Sequence, residues 1–269
     1  MTSFGIVIPA RLASTRLPDK PLLDVAGKPL IVRVLEAAQC AGADFVLVAA
    51  DDQRIVDVVR AAGGEALLTS PVHTSGTDRL AEAVQRRGLA GETIIVNWQG
   101  DEPLLDPDVA ARIAGALAER PSAHMATLAT PITDVDELFS PHVVKVVLDR
   151  NGLARTFSRA PVPWVRDSVP PLPDKPASLP PGVPFLRHIG LYAYRVRTLL
   201  ELTGETPPSW ETAESLEQLR ALWMGWEIHV SVVDAAPQPG VDTAEDLERV
   251  RGVLGERKIN PCLPSRDLE

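Results

Sequence analysis

Three cations stand within ten residues of one another, Arg11, Arg16 and Lys20, in the segment FGIVIPARLASTRLPDK at 4–20. They follow a short apolar run, Phe4 to Ile8, that a proline brings to a stop. Their spacing has no helical or strand period that would pair them with carboxylates. A loop of fixed positive charge at the end of a buried strand is suited to hold a polyphosphate. Carboxylates of matching interest occur far away, Asp101 and Glu102 in VNWQGDEP at 96–103 and Asp242 in PGVDTAEDLERV at 239–250. Hard oxygen donors of this kind suit magnesium, which shares its remaining positions with phosphate and water. Taken singly, Asp101 also reads as a turn acid before a helix, and Asp242 as an N-cap.

The elements that must position these groups are legible in the hydrophobic pattern. Strands are expected at 4–8, 45–50, 65–68 and 93–97, with helices at about 29–41, 52–62, 78–87 and 107–119. Continuous β-branched runs separated by amphipathic stretches indicate an α/β fold with a parallel sheet covered on both faces. Further strands are expected at 124–132, 143–149, 153–160, 189–195 and 227–233, in a more mixed sheet. Helices are expected at 211–224 and 243–254, the latter opened by Asp242–Thr243 with Glu245 and Asp246 in its first turn. Prolines crowd residues 161–184, which reads as a long, partly extended loop near a substrate cleft. One domain over 1–255 is expected, with a flexible tail at 256–269.

Composition narrows the function. The 269 residues carry a formal charge of −9 and 45% hydrophobic residues, which suits a globular protein with a real core and disfavours nucleic acid as a partner. Residues 1–33 run against that balance, with Arg11, Arg16, Lys20, Lys28 and Arg33 facing only Asp19 and Asp24. A basic spot on an acidic body fits a small anionic ligand. Cys40 and Cys262 are far apart and form no CxxC, so neither a disulfide framework nor a zinc site is expected. His73, His124, His142 and His229 show no metal spacing and read as structural. No apolar run reaches the roughly 18 residues needed to span a bilayer, and no secretory signal opens the chain. A cytoplasmic protein without a membrane partner is expected. GxGxxG, P-loop and zincin motifs are absent.

The order of P-A-R, S-T-R-L-P and K-P-L, then G-K-P-L-I at 27–31, resembles the signature loop of the sugar nucleotidyltransferase superfamily. The added blocks HTSGTDRLAEAV, QGDEP, FSRAPVPW, RHIGLYAYR, ESLEQLR and GVDT narrow the resemblance to the 3-deoxy-manno-octulosonate (Kdo) cytidylyltransferases, or CMP-Kdo synthetases. It covers roughly residues 3 to 251. Three departures stand out: Trp98 where a small or aliphatic residue is usual, Asp78 for glutamate, and His142 where asparagine is common.

The resemblance implies a Rossmann-like, glycosyltransferase-A-like three-layer sandwich with a mixed central sheet and a small inserted sugar-binding and dimerisation region. It assigns residues 1–120 mainly to CTP and 121–255 mainly to the sugar. The implied reaction moves CMP from CTP to Kdo for lipopolysaccharide biosynthesis, with Mg2+ on Asp101 and Asp242 and a homodimer as the assembly. Arg11, Lys20, Asp101 and Asp242 would be catalytic. Ser14, Arg16, Ser75, Thr77, Arg79 and Gln99 would bind the nucleotide. Arg159 would meet the sugar carboxylate, with His188, Tyr192, Glu211, Glu217 and Gln218 around the sugar. Two alternatives stay open: another acceptor, such as 8-amino-Kdo or a sialic-acid-like sugar, and a non-catalytic nucleotide-binding regulator on the same fold.

Overall fold

The computed structural model describes residues 2–13, 16–166, 174–234 and 237–256. In chain order the first elements are β1 (Gly5–Ala10), β2 (Asp24–Val25), β3 (Lys28–Pro29), α1 (Leu30–Gln39), β4 (Phe45–Ala50) and α2 (Gln53–Ala61). Then come β5 (Glu65–Leu68), α3 (Gly76–Arg87), β6 (Ile94–Asn97), α4 (Pro107–Ala118), β7 (Met125–Pro131) and α5 (Val135–Phe139). The remainder comprises β8 (Lys145–Leu148), β9 (Ala154–Ser158), β10 (Leu186–Arg195), α6 (Val196–Gly204), α7 (Ser209–Glu214), α8 (Gln218–Trp223), β11 (Ile228–Val232) and α9 (Ala244–Glu256).

The chain divides into two compact units. The first holds Met1–Glu119, Leu191–Thr203 and Pro237–Glu269; the second holds Arg120–Gly190 and Gly204–Ala236. One cut falls at residue 120, and 191–203 and the C-terminal helix belong to the first unit.

In the first unit β6, β1, β4 and β5 lie side by side and parallel, with Gly5 opposite both Phe45 and Ile95. The end of β10 adds antiparallel to β6, placing Tyr192 opposite Asn97. Ile6, Val7, Ile8, Val48, Ile95 and Val96 are all fully buried, although successive side chains point to opposite faces. Both faces of this sheet are therefore covered, as the unbroken apolar runs require. The covering helices begin where short polar side chains cap them. Asp52 accepts from the Arg54 N–H, Ser75 from Asp78 and Asp106 from Asp108.

The second unit pairs β11 parallel with β7, and β8 antiparallel with β9 and with the start of β10. Ile132, Leu138 and Phe185 form a buried cluster there, and Val165, Leu179 and Val183 of the proline-rich segment pack on it. The segment is thus anchored on both flanks of 167–173, which lie outside the described residues. The expected helix at 211–224 is instead two helices, α7 and α8, because Ser215 takes a left-handed φ of 52° and its N–H closes on the Glu211 carbonyl. The tail call covers 256–269, of which 257–269 lie outside the described residues.

Candidate active site

Three parallel strands of the first unit end at the same edge, and each hands a polar residue to it. After β1 comes Arg11, after β4 comes Asp51, and after β6 come Gln99, Gly100 and Asp101. The carboxyl edge of a parallel sheet is where α/β proteins bind ligands. A cleft of about 320 Å³ opens there, lined by Arg11, Arg16, Lys20, Ser75, Arg79, Gln99, Asp101 and Asp242, with His73 beside them. Eight expected site residues from four stretches of sequence thus share one wall. The N-terminus of α3 also faces the cleft through Ser75 and Gly76, adding the partial positive charge of a helix start.

Two close approaches build the acidic side of this cleft. A Cβ on Gly100 would lie 2.5 Å from the Pro9 carbonyl oxygen, so only glycine lets the turn after β6 pack on β1. A Cβ on Gly240 would lie 2.9 Å from the Asp101 carbonyl oxygen. That contact lets the Val241 N–H donate to the same carbonyl at 2.8 Å, which fixes Asp242 beside Asp101 across 141 residues of sequence. Trp98 explains itself here. Its ring is fully buried and its Nε1 donates to the Glu102 carbonyl at 3.1 Å, clamping the turn that presents Asp101.

Lys20 stands between the two acids. Its Nζ donates to Asp101 Oδ2 at 2.6 Å, to the Val241 carbonyl at 2.8 Å and to Asp242 Oδ1 at 3.2 Å. Arg16 lies 3.7 Å from the other Asp242 oxygen. Glu102 sits behind the pair with its Oε2 buried and without a hydrogen-bond partner among the described residues. Burial, then the charges of Asp101 and Asp242, push its carboxyl up to about 8. A concentration of carboxylate and carbonyl oxygens that already gathers one cation, and leaves one acid oxygen unmatched, fits a hard divalent ion such as magnesium.

On the opposite side, Arg79 is buried in α3 and donates to Thr69 Oγ1 at 2.6 Å and to the Ser70 carbonyl at 3.2 Å, with Asp51 at 3.5 Å. Burial pulls its pKa below the ordinary value while Asp51 opposes that shift. Asp51 also accepts from the Leu12 N–H at 2.8 Å, so it ties the basic loop to the helix. Its position, directly after a buried strand, is the signal that marks Asp101, and the same reasoning could have found it. Thr77 does not line the cleft; it is buried in α3 beside Arg79. Ser14 lies outside the described residues.

The remaining expected residues, Tyr192 apart, fall in the second unit. Arg159 uses Nε on the Glu214 carbonyl at 2.7 Å and Nη1 on the Pro141 carbonyl at 2.9 Å. The break between α7 and α8 leaves that Glu214 carbonyl available to it. The Glu214 carboxylate in turn accepts from Ser158 Oγ at 2.7 Å and from the Arg159 N–H at 2.6 Å. Lys145, wholly buried, reaches the Ser140, Val143 and Arg159 carbonyls, and burial lowers its pKa to about 8. Neither Glu214 nor Lys145 was among the expected site residues. Nothing in a local pattern separates them from surface charges.

Glu211 does not stand open to a sugar hydroxyl. It forms a buried two-point pair with Arg220, at 2.6 Å and 2.8 Å. Glu217 lies 3.9 Å from the same arginine, and Gln218 is buried at the start of α8. His188 is held at 3.0 Å from Thr127 Oγ1 with Phe157 edge-on, and burial lowers its pKa to about 3. It is a neutral ring at any physiological pH. Tyr192 stands four residues further along β10, in the first unit.

Comparison with known proteins places the chain in a family. The cytidylyltransferase family profile matches residues 5–228. Over 253 residues the chain is 56% identical to a 3-deoxy-manno-octulosonate cytidylyltransferase of Pseudomonas fluorescens, covering 94% of this chain and 98% of that one. A protein of the same name from Pseudomonas syringae pv. tomato is 54% identical over 252 residues, with 94% and 98% covered. Among solved structures, a CMP:2-keto-3-deoxy-manno-octonic acid synthetase complexed with CTP matches with a TM-score of 0.83 and 39% identity, over 94% of this chain and 99% of that one. A cytidylyltransferase from Leptospira borgpetersenii, 16% identical with a TM-score of 0.62, covers 100% and 92% and shares the fold alone. The chain belongs to the cytidylyltransferase family, among the 3-deoxy-manno-octulosonate cytidylyltransferases.

Proposed function

We propose that this protein transfers the CMP moiety of CTP to 3-deoxy-manno-octulosonate, releasing pyrophosphate and forming CMP-Kdo. The observation that carries this reading is the cleft at the carboxyl edge of the parallel sheet, where Arg11, Arg16 and Lys20 face Asp101 and Asp242. The 39% identical relative with the same fold was solved with CTP. The sugar's anomeric hydroxyl oxygen bonds to the α-phosphorus, the bond from that phosphorus to the bridging oxygen breaks, and pyrophosphate leaves with that electron pair. The hydroxyl proton passes to solvent or to a carboxylate of the cleft.

This chain's residues supply charge and position, which is most of what such a displacement needs. Arg11, Arg16 and Lys20 neutralise the triphosphate, with the start of α3 behind Ser75 as an added donor surface. Arg79, locked by Thr69 and Ser70, holds the nucleoside end in place. Arg159, already fixed at Nε and Nη1, offers a rigid guanidinium for the acid group of the sugar. Glu211 serves that region by fixing Arg220, while Tyr192, Glu217 and Gln218 remain the candidates for sugar hydroxyls. Asp101 and Asp242 would hold the magnesium ion, which when bound neutralises phosphate charge and lowers the pKa of the attacking hydroxyl. The family resemblance supports a homodimer working in the cytoplasm, with the product entering lipopolysaccharide biosynthesis.

The test is pyrophosphate release from the purified protein with Mg2+, CTP and Kdo, run beside ATP, UTP, 8-amino-Kdo and a sialic acid. Rapid release with CTP and Kdo alone supports the reading. Release with CTP and a different acid keeps the chemistry and overturns the sugar. Silence with every pair, with CTP still bound, leaves a nucleotide-binding regulator.

A further inference from the structure

An ammonium group has three N–H donors and no more. All three donors of Lys20 are in use within the protein, on Asp101 Oδ2, the Val241 carbonyl and Asp242 Oδ1. The side chain is 17% exposed, so these contacts are not idle surface pairing. Lys20 therefore cannot hold a phosphate group while it holds these oxygens. The functional reading above asks for both, a lysine on the triphosphate and a cation on the two aspartates. One geometry reconciles them.

We propose that Lys20 is a resident counter-ion of the Asp101–Asp242 pair, which a divalent cation displaces on entry, so that metal loading releases the lysine to the nucleotide phosphates. The proposal rests on the reading that the aspartates take a metal. The three acceptors around Nζ are two carboxylates and a carbonyl, a donor set as suited to a hard divalent ion as to an ammonium. They arrive from the turn after β6 and from the segment before α9, which are joined through the Gly240 approach and the Val241 N–H bond. Without a cation between them, Asp101 and Asp242 would repel each other. Lys20 thus keeps the site assembled before any ligand arrives. Arg16, 3.7 Å from Asp242 and 68% exposed, is too loosely held to replace it.

The exchange has a sign that ordinary phosphate binding by Lys20 lacks. If the ammonium competes with the metal, removing it must strengthen metal binding in the absence of nucleotide. The experiment is titration of the full-length protein with Mn2+ alone, followed by calorimetry and by the loss of the free-ion electron paramagnetic resonance signal. Lys20→Met is compared with wild type, Lys20→Arg and Asp101→Asn. Competition between two cations for one site predicts that Lys20→Met binds Mn2+ about tenfold more tightly than wild type. Lys20→Arg, which keeps the charge, should stay near wild type. The thermal shift on adding Mn2+ should likewise be larger in Lys20→Met, whose metal-free form has lost its internal cation. Equal or weaker Mn2+ binding by Lys20→Met, with Asp101→Asn weaker than both, overturns the exchange and leaves the metal site standing. If no variant binds Mn2+, with or without CTP, both the exchange and the metal reading fall.

Discussion

Replacing Glu102 by glutamine offers a sharp test of the acidic side of the cleft. Glu102 titrates near 4.5 in an unconstrained chain and is pushed up to about 8 in the fold, first by burial and then by Asp101 and Asp242. Between those two values the folded protein binds a proton that the unfolded chain has released, so stability must fall as pH rises through that window. Each unit of displacement is worth about 1.36 kcal/mol, which gives a cost of about 3 kcal/mol at pH 7 and about 5 kcal/mol beyond pH 8. Glutamine has nearly the same shape, keeps a donor where the protonated acid has one, and does not titrate. Glu102→Gln should therefore match wild type near pH 4.5 and become progressively more stable than it toward pH 9.

The assay is thermal unfolding with a metal chelator present, at half-unit steps from pH 4.5 to 9. The difference between the two proteins matters, because every other titrating group is common to both. A chain of this size moves by roughly 2–4 °C per kcal/mol, so the gap should open by on the order of 10 °C across the range. Parallel curves would refute the reasoning: they would mean that Glu102 is ionised and solvated in the native protein, and that its oxygen is not isolated behind Asp101.

Three further outcomes follow from the same geometry. Asp101→Asn should lower turnover by about 100-fold or more while CTP affinity, measured by calorimetry, changes by less than about tenfold. Arg220→Met should destabilise the protein by about 3–5 kcal/mol in denaturant titration because it strands the Glu211 carboxylate in a buried position, whereas Glu211→Met combined with Arg220→Met should recover most of that loss. His188, lowered by burial to about 3 from 6.5, contributes stability that is present above pH 6.5 and lost as pH falls toward 3. His188→Gln should flatten that acid limb, read as unfolding midpoints between pH 6.5 and 4.

What was legible in the sequence depended on whether the cause was local. FVLVAA at 45–50 is β4 to the residue, since a buried parallel strand needs little more than an apolar β-branched run with polar ends. The tight β2–β3 hairpin escaped notice because its turn puts Ala26 at a φ of 51° beside Gly27 at 83°, and alanine does not advertise a left-handed position. Helix α6 escaped because it follows β10 with no intervening cap or turn residue. In the site, Arg11, Arg16, Lys20, Asp101 and Asp242 were recognisable by type, position and family motif. The role of Glu102 was not, since its isolation comes from Trp98, Gly240 and a neighbouring acid pair rather than from its own segment. Glu211 failed as a sugar contact for the same reason, because Arg220 reaches it only after the chain breaks at Ser215.

These particulars bear on why a cleft for a triphosphate should be so rich in acids. Most of its cations are engaged by groups of the protein itself: Lys20 with Asp101 and Asp242, Arg79 with Thr69 and Asp51, Arg16 near Asp242. A nucleotide arriving without a metal would have to pull these cations away; the cost falls on Asp51 and Asp101, whose side chains are 11% and 30% exposed, rather than on Asp242, which at 63% exposed keeps its water. A nucleotide arriving with a divalent ion makes no such demand. Under the exchange proposed above, a metal on the carboxylates would take the place of Lys20 and free the lysine for the phosphates, so that neither aspartate would lose its cation. Selectivity for the metal-bound nucleotide over the bare one would then be a property of the acids that seem out of place, and loss of that preference in Asp101→Asn, measured as the ratio of CTP affinities with and without Mn2+, is the result this reasoning requires.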